Sequence, residues 1–255
     1  MSAAERIVVV GGGPAGIEAA REAVRGGATV TLVMDAPAGG RSVAASLLPS
    51  KGLLHAAELR VLRGDKGLAT PADVAAIVAD IDRLASAESA RLRQLLDDAG
   101  VSIVTGVARF VSPRELEVVR DGKEPRRLAF DGAIVATGSE PRFPAGFFGE
   151  AKGPDGTLII APRHVRALRD LPRTILVIGG GATGAEMTCA FQRLGVEVTW
   201  LLDEYGILPE LDREVADSLG DVLMERGVKI VHQKGVASVV PGPGGVLAKL
   251  DGGRT

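Results

Sequence analysis

Cysteine is nearly absent from this sequence. Cys189 is alone among 255 residues, so no disulfide can close within the chain. Flanked by Thr188 and Ala190 in a helix-length segment, it is expected to be a buried, inert thiol. An excess of one charge is lacking too: 30 basic residues meet 32 acidic ones, for a net charge of −2. That balance gives no electrostatic reason to expect nucleic acid or an anionic membrane surface as partner. Arg outnumbers Lys by 23 to 7, a bias that indicates no function by itself. Histidine is scarce, and His55, His164 and His232 show no metal-ligand spacing, so no metal site is expected. Long apolar runs are missing, and nothing approaches the roughly 20 residues of a membrane-spanning helix. The stretch Ile7 to Val10 is too short for the core of an export signal and runs directly into glycine. A cytoplasmic location is therefore the expectation. With 46% apolar and 24% charged residues, the composition is that of an ordinary globular protein of one large or two small domains.

What the chain does contain, it contains twice. The segment Ile7 to Asp35 (IVVVGGGPAGIEAAREAVRGGATVTLVMD) returns without a gap from Ile175 to Asp203 (ILVIGGGATGAEMTCAFQRLGVEVTWLLD), shifted by 168 positions. In each copy four apolar residues lead into Gly-x-Gly-x-x-Gly, first at Gly11, Gly13 and Gly16, then at Gly179, Gly181 and Gly184. A helix-length segment follows, then a second apolar run ending in an aspartate. This is the strand, turn, helix and parallel strand that hold a dinucleotide pyrophosphate at a helix N-terminus. The first glycine permits the tight turn, the second lets backbone approach the pyrophosphate, and the third lets helix and strand pack closely. N–H groups of the first helical turn, without partners in the helix, then face the phosphates. An acid closing the second strand accepts a hydrogen bond from a ribose hydroxyl, which makes Asp35 and Asp203 candidates. Two copies in full context predict two bound dinucleotides.

Between the copies, Gly39 to Leu54 is expected to run as a loop and turn helical after Pro49. Thr70-Pro71-Ala72-Asp73 is a helix start, with a Thr cap, Pro at the first position and an acid in the first turn. Apolar residues from Val74 to Leu96 at helical spacing carry that helix to about Gly100. Short strands are expected at 101–104, 108–111, 116–120 and 128–130, punctuated by Asp121-Gly122. The run from Gly132 to Gly138 is expected to be a buried strand ending in a small-residue turn. Residues 141–157, rich in Pro and Gly, read as an interdomain linker. The arginines at 163, 166, 169 and 173 read as a solvated helix face. A helix over 213–226, a strand over 228–232 and a hairpin over 236–250 close the pattern. The chain stops at Thr255 inside what reads as a further hairpin turn, an open edge that natural domains seldom leave. A fragment of a longer protein is the expectation.

The two fingerprints, with GGRSVAASLLPSK (39–51) and VATGSEP (135–141) in this order, resemble the pyridine nucleotide–disulfide oxidoreductases. The resemblance extends from about Arg6 to the end. It implies an α/β fold of two Rossmann-like dinucleotide-binding domains, glutathione-reductase-like, with the second incomplete. The expected boundaries are 1–145 for an FAD-binding domain, 146–172 for a connecting segment and 173–255 for an NAD(P)H-binding domain. Hydride would pass from nicotinamide to flavin, a cofactor reaction for which the protein supplies orientation and electrostatics.

Position by position, the resemblance implies FAD contacts at Gly11, Gly13, Pro14, Ala15 and Gly16, at Gly39, Gly40, Arg41 and Ser42, and at Ala108, Ala136, Thr137 and Gly138. NAD(P)H contacts are implied at Gly179, Gly181, Ala182, Thr183 and Gly184. The family's ribose-binding acid falls on Met34 and Leu202, with Asp35 and Asp203 one residue later. Asp203-Glu204 without an adjacent Arg favours NADH over NADPH. Lys51 is placed beside the flavin N5 edge with Glu186 as its partner, and these two are the expected catalytic pair. A Glu offsets the cost of burying a Lys, and the Lys charge stabilises the anion formed as flavin accepts hydride. His55, four residues after Lys51, is assigned a structural role. Ala182 stands where many relatives carry a bulky aromatic gate.

The active loop departs from the family. Ser42 and Leu47 occupy the two positions where disulfide reductases carry cysteines, and a leucine forms neither a thiolate nor a disulfide. Dithiol chemistry through this loop is excluded, leaving direct transfer from flavin to a quinone or similar small-molecule electron acceptor. A soluble pyridine nucleotide transhydrogenase, or an inactive fragment that only binds nucleotide, are the alternatives. Family members also have a later Gly-Asp at the flavin ribityl chain and a C-terminal dimerisation domain with a His-Glu pair. Neither falls within these residues, so the homodimer expected of the full-length family would need more chain.

Overall fold

The computed structural model describes residues 4–140, 161–232, 236–242 and 245–250. Residues 141–157, expected as a linker, and the turn expected at 251–253 lie outside the described residues. The chain divides into two compact units, the first Met1–Leu48 with Asp82–Glu140, the second Pro49–Ile81 with Pro141–Thr255.

In the first unit, β1 (Arg6–Val10), β2 (Thr29–Met34), β3 (Ser102–Thr105) and β7 (Gly132–Val135) form a parallel sheet in the order β3-β2-β1-β7. Helix α1 (Pro14–Arg25) crosses from β1 to β2 and packs on β1, β2 and β7. Its inward residues Ile17 and Ala20 join Val9, Val30, Leu32 and Met34 in one apolar cluster, together with Leu96. On the other face of the sheet, Val8, Val10, Val33 and Val104 meet Leu116, Val118 and Phe130. Those last three belong to a meander of β4 (Val107–Ser112), β5 (Glu115–Arg120) and β6 (Lys123–Ala129) and the residue after it. The sheet is thus covered on both faces, which is why β1 and β2 read as unbroken apolar runs.

Strand β7 differs from the expectation of a buried strand. Ile134 and Val135 are 37% and 64% exposed because β7 is the last strand of the sheet order among the described residues. A short apolar run does not distinguish a central strand from an edge. Strand β6 is longer than the expected 128–130. Its first half, Lys-Glu-Pro-Arg-Arg, carries no strand signal, but the turn at Asp121-Gly122 folds it back on β5. Pro125 is accommodated because β6 is the edge of the meander and the register shifts beside it. The expected loop at 39–48 is largely helical: α2 (Gly40–Ala44) precedes α3 (Leu47–Leu62), and five residues are too few to display a helical period.

The second unit repeats the arrangement on a smaller scale. Strands β8 (Thr174–Ile178), β9 (Glu197–Leu202) and β10 (Lys229–His232) are parallel in the order β10-β9-β8. Helix α5 (Ala182–Arg193) packs on β8 and β9, and α6 (Arg213–Glu225) on β10. Asp212 caps α6 by accepting the Glu214 N–H at 2.9 Å. A hairpin of β11 (Val236–Gly242) and β12 (Gly245–Leu250) follows. The four arginines expected on one helix are not so placed, since Pro162–Ala167 form only a short 3₁₀ turn and Arg173 lies just before β8.

Helix α4 (Pro71–Asp98) begins where its capping sequence predicts. The Thr70 hydroxyl accepts the Asp73 N–H at 3.2 Å, and the Asp73 carboxylate accepts the Thr70 N–H at 2.8 Å. Arg60 ties the preceding loop to this cap through Asp73 and the Gly67 carbonyl. The loop then docks on the end of α5: the Ala69 N–H reaches the Leu194 carbonyl at 2.8 Å, and a Cβ on Gly195 would stand 2.1 Å from the Gly67 oxygen.

Gly195→Ala combines a backbone clash with φ +86°, and it is expected to cost more than about 2 kcal/mol in urea unfolding. Asp131 accepts the Arg6 backbone N–H at 2.9 Å and both arms of its guanidinium. The guanidinium, above all, holds this carboxyl well below the usual carboxylate range. Its contribution is therefore present above the unfolded carboxylate pKa of about 4 and is lost as the pH falls from there. Asp131→Asn should flatten the acid limb of the stability curve below about pH 4; an unchanged limb would show that the contact is not formed in solution.

Candidate functional site

Each fingerprint builds the same turn, and most of its contacts are backbone against backbone. In the first copy the Gly11 N–H donates to the Val33 carbonyl at 2.8 Å; in the second, Gly179 donates to Leu201 at 3.0 Å. Both glycines take positive φ, +112° and +103°, a region closed to most side chains. A Cβ on Gly16 would stand 1.8 Å from the Gly11 oxygen, and one on Gly184 2.0 Å from the Gly179 oxygen. The third glycine is therefore required by the carbonyl of the first. The middle glycines behave differently. Gly13 and Gly181 have ordinary φ of −77° and −70°, cap their helices without a side chain, and would point a Cβ into open space.

That open side is where the N-terminal N–H groups of α1 and α5 are presented. Pro14 and Ala15 are exposed in one copy and Ala182 and Thr183 in the other. Pro14, lacking an N–H, occupies a position where the helix needs none. Two bare helix N-termini without a blocking side chain fit the pyrophosphates of two dinucleotides.

Around the first turn the chain closes a ring. The Gly39 N–H reaches the Gly12 carbonyl at 2.9 Å, and a Cβ on Gly40 would meet the Gly13 Cα at 3.0 Å. Opposite, a Cβ on Gly11 would stand 2.2 Å from the Ala136 oxygen, with the Thr137 N–H adjacent. Arg41 donates to the Ser139 carbonyl, spanning from α2, which carries Ser42, to the turn after β7 that holds Gly138. Ala108 lies in β4 and packs against the cluster under the meander.

The second turn has a counterpart that no sequence signal announces. The loop after β9 folds back so that the Leu208 N–H reaches the Gly180 carbonyl at 2.7 Å, as Gly39 does to Gly12. At the two strand ends, Met34 and Leu202 are buried, and their side chains lie close to Gly12 and Gly180. Asp35 and Asp203 are exposed one residue later, and the Asp203 carboxylate accepts the Tyr205 N–H at 3.1 Å.

Lys51 of α3 and Glu186 of α5, 135 residues apart in sequence, meet at 2.5 Å, both within the second unit. Glu186 sits in the second turn of α5, just past the glycine turn. The pair is half to three-quarters hidden, with side chains 49% and 28% exposed. Pairs this accessible contribute about 0–1 kcal/mol to stability. His55, a turn farther along α3, is exposed. Cys189 is only partly buried, short of the buried thiol expected, and desolvation pushes its thiol up. No group of His, Cys, Asp and Glu suited to a metal occurs among the described residues, nor does any helix there long and apolar enough to cross a membrane.

A doubled strand–turn–helix unit with two open helix N-termini defines an α/β protein built to hold two dinucleotides. The family model for pyridine nucleotide-disulphide oxidoreductases matches residues 5–255, and the chain belongs to that family, whose cofactors are FAD and NAD(P)H. It is 37% identical over 230 residues to a dihydrolipoyl dehydrogenase of Thermus scotoductus, an alignment covering 88% of this chain and 48% of that protein. It is 33% identical over 268 residues to an NAD(P)H dehydrogenase (quinone) of Mycobacterium tuberculosis, covering 98% and 53%. The crystal structure of LpdA from Mycobacterium tuberculosis superposes with a TM-score of 0.85 at 31% identity, covering 98% of this chain and 56% of that one. The chain thus spans about half the length of the curated relatives it matches.

The glycines separate into two kinds that substitution would distinguish. Gly184→Ala is expected to lower the unfolding free energy by about 2 kcal/mol or more, because the turn must move. Gly181→Ala, facing open space at ordinary φ, should stay within about 0.5 kcal/mol of wild type. Equal urea midpoints for the two variants would contradict the turn geometry.

Proposed function

We propose that this chain is the dinucleotide-binding portion of an FAD-dependent NAD(P)H oxidoreductase that passes hydride from NADH to flavin and on to a quinone or similar small-molecule acceptor. The carrying observation is the Lys51–Glu186 ion pair at 2.5 Å beside the second glycine turn. When bound, FAD supplies the two-electron chemistry between nicotinamide and acceptor. On this reading the turn at Gly11, Gly13 and Gly16, with Gly39–Ser42 and Ala136–Gly138, holds FAD by its pyrophosphate. The turn at Gly179, Gly181 and Gly184, with Ala182 and Thr183, holds NAD(P)H.

In the family pattern the lysine at position 51 lies beside the flavin N5 edge. Its ammonium holds positive charge where negative charge develops, and Glu186 fixes the ammonium's position by accepting its proton in a hydrogen bond. Ser42 and Leu47 remove the dithiol route, so the acceptor is a diffusible molecule and not a disulfide. The quinone dehydrogenase among the relatives supports the same choice. Exposed Asp203 and Glu204 at the end of β9 favour NADH, since a 2′-phosphate there would meet negative charge. A homodimer completed by further chain and a cytoplasmic location belong to this reading.

The test is the visible spectrum of the FAD-loaded chain before and after anaerobic NADH. The flavin should bleach, faster with NADH than with an equal concentration of NADPH. Glu186→Ala should slow bleaching on the order of tenfold with FAD content unchanged. An unchanged rate would remove the pair from the mechanism. A chain that takes up no FAD would assign the activity to a longer parent protein.

A further inference from the structure

The two turns are matched in backbone but not in what holds them. In the first unit, the Gly11 turn is braced by the end of β7, so closely that a Cβ on Gly11 would stand 2.2 Å from the Ala136 oxygen. In the second, the indole N–H of Trp200 donates to the Gly179 carbonyl at 2.9 Å. Trp200 is fully buried in β9, and the same indole nitrogen would stand 3.4 Å from a Cβ on Gly184. By the 168-residue shift its counterpart in the first copy is Leu32, equally buried but with no donor.

A buried indole N–H needs an acceptor, and here it has taken the carbonyl on which the whole turn is built. With the Gly179 N–H bound to Leu201 and its carbonyl bound to Trp200, the entry of the chain into α5 is fixed from both sides. We infer that Trp200 is a positioning residue for the nucleotide at the second turn: its indole preorganises the Gly179–Gly184 loop to receive a dinucleotide pyrophosphate. Preorganisation of this kind shows up as affinity, because a loop already ordered loses less freedom on binding. The inference rests on the reading that the second unit holds NAD(P)H.

Trp200 is the one tryptophan of the chain, so its indole gives a single resonance. The test titrates NADH into the full FAD-loaded chain and into Trp200→Phe, following affinity by calorimetry and the indole and glycine amides by NMR. Trp200→Phe is expected to bind NADH about fivefold more weakly, the usual worth of one neutral hydrogen bond, with FAD content unchanged. In wild type the indole resonance should shift as NADH saturates. A lower melting temperature with unaltered NADH affinity would make Trp200 merely structural and overturn the inference. Should the variant fail to fold, the wild-type titration decides. A static indole while the Gly181 and Gly184 amides move overturns the inference and leaves the nucleotide reading intact. No movement of any resonance overturns both.

Discussion

The structure depends on one repeated close approach: the carbonyl of the first fingerprint glycine against the Cα of the third. At 1.8 and 2.0 Å from where a Cβ would sit, no other residue can occupy Gly16 or Gly184 without moving the strand or the helix. That approach sets where α1 and α5 begin, and hence where their free N–H groups point. It also leaves the middle glycines as the open face of each turn. Each turn is thus built by backbone contacts, with no side chain at its first, middle or third position.

Two of the ion pairs play different parts. Arg6 and Asp131 join the start of β1 to the residue before β7 by paired backbone and side-chain bonds, which is a structural role. Lys51 and Glu186 join two helices through a single contact that stabilises little.

The parts of the molecule written in local pattern were legible in advance. The doubled turn, the cap at Thr70–Asp73, the last helix and the closing hairpin each follow from residues adjacent in sequence. Features set by distant backbone were not. The return of Leu208 to Gly180 and the reach of Arg41 to Ser139 leave no mark of spacing or composition. The first half of β6 is polar and becomes a strand only through the turn before it. Strand β7 reads as buried because its residues are apolar, yet its place last in the sheet order among the described residues leaves it exposed. Lys51 and Glu186 were found by family resemblance alone, since nothing local links a helical Lys to a helical Glu so far away. At the aligned positions Met34 and Leu202 are packed in the interior, and the carboxylates stand one residue on.

The discontinuity of the second unit has a consequence for how the protein is made. A chain emerging from the ribosome has all of the first unit once Glu140 is out. Pro49–Ile81 is by then long exposed, but Leu194, on which its loop docks, lies 54 residues further along. At roughly 5–20 residues per second, the bond from Ala69 to Leu194 and the ion pair from Lys51 to Glu186 close only several seconds or more after their first partners are made.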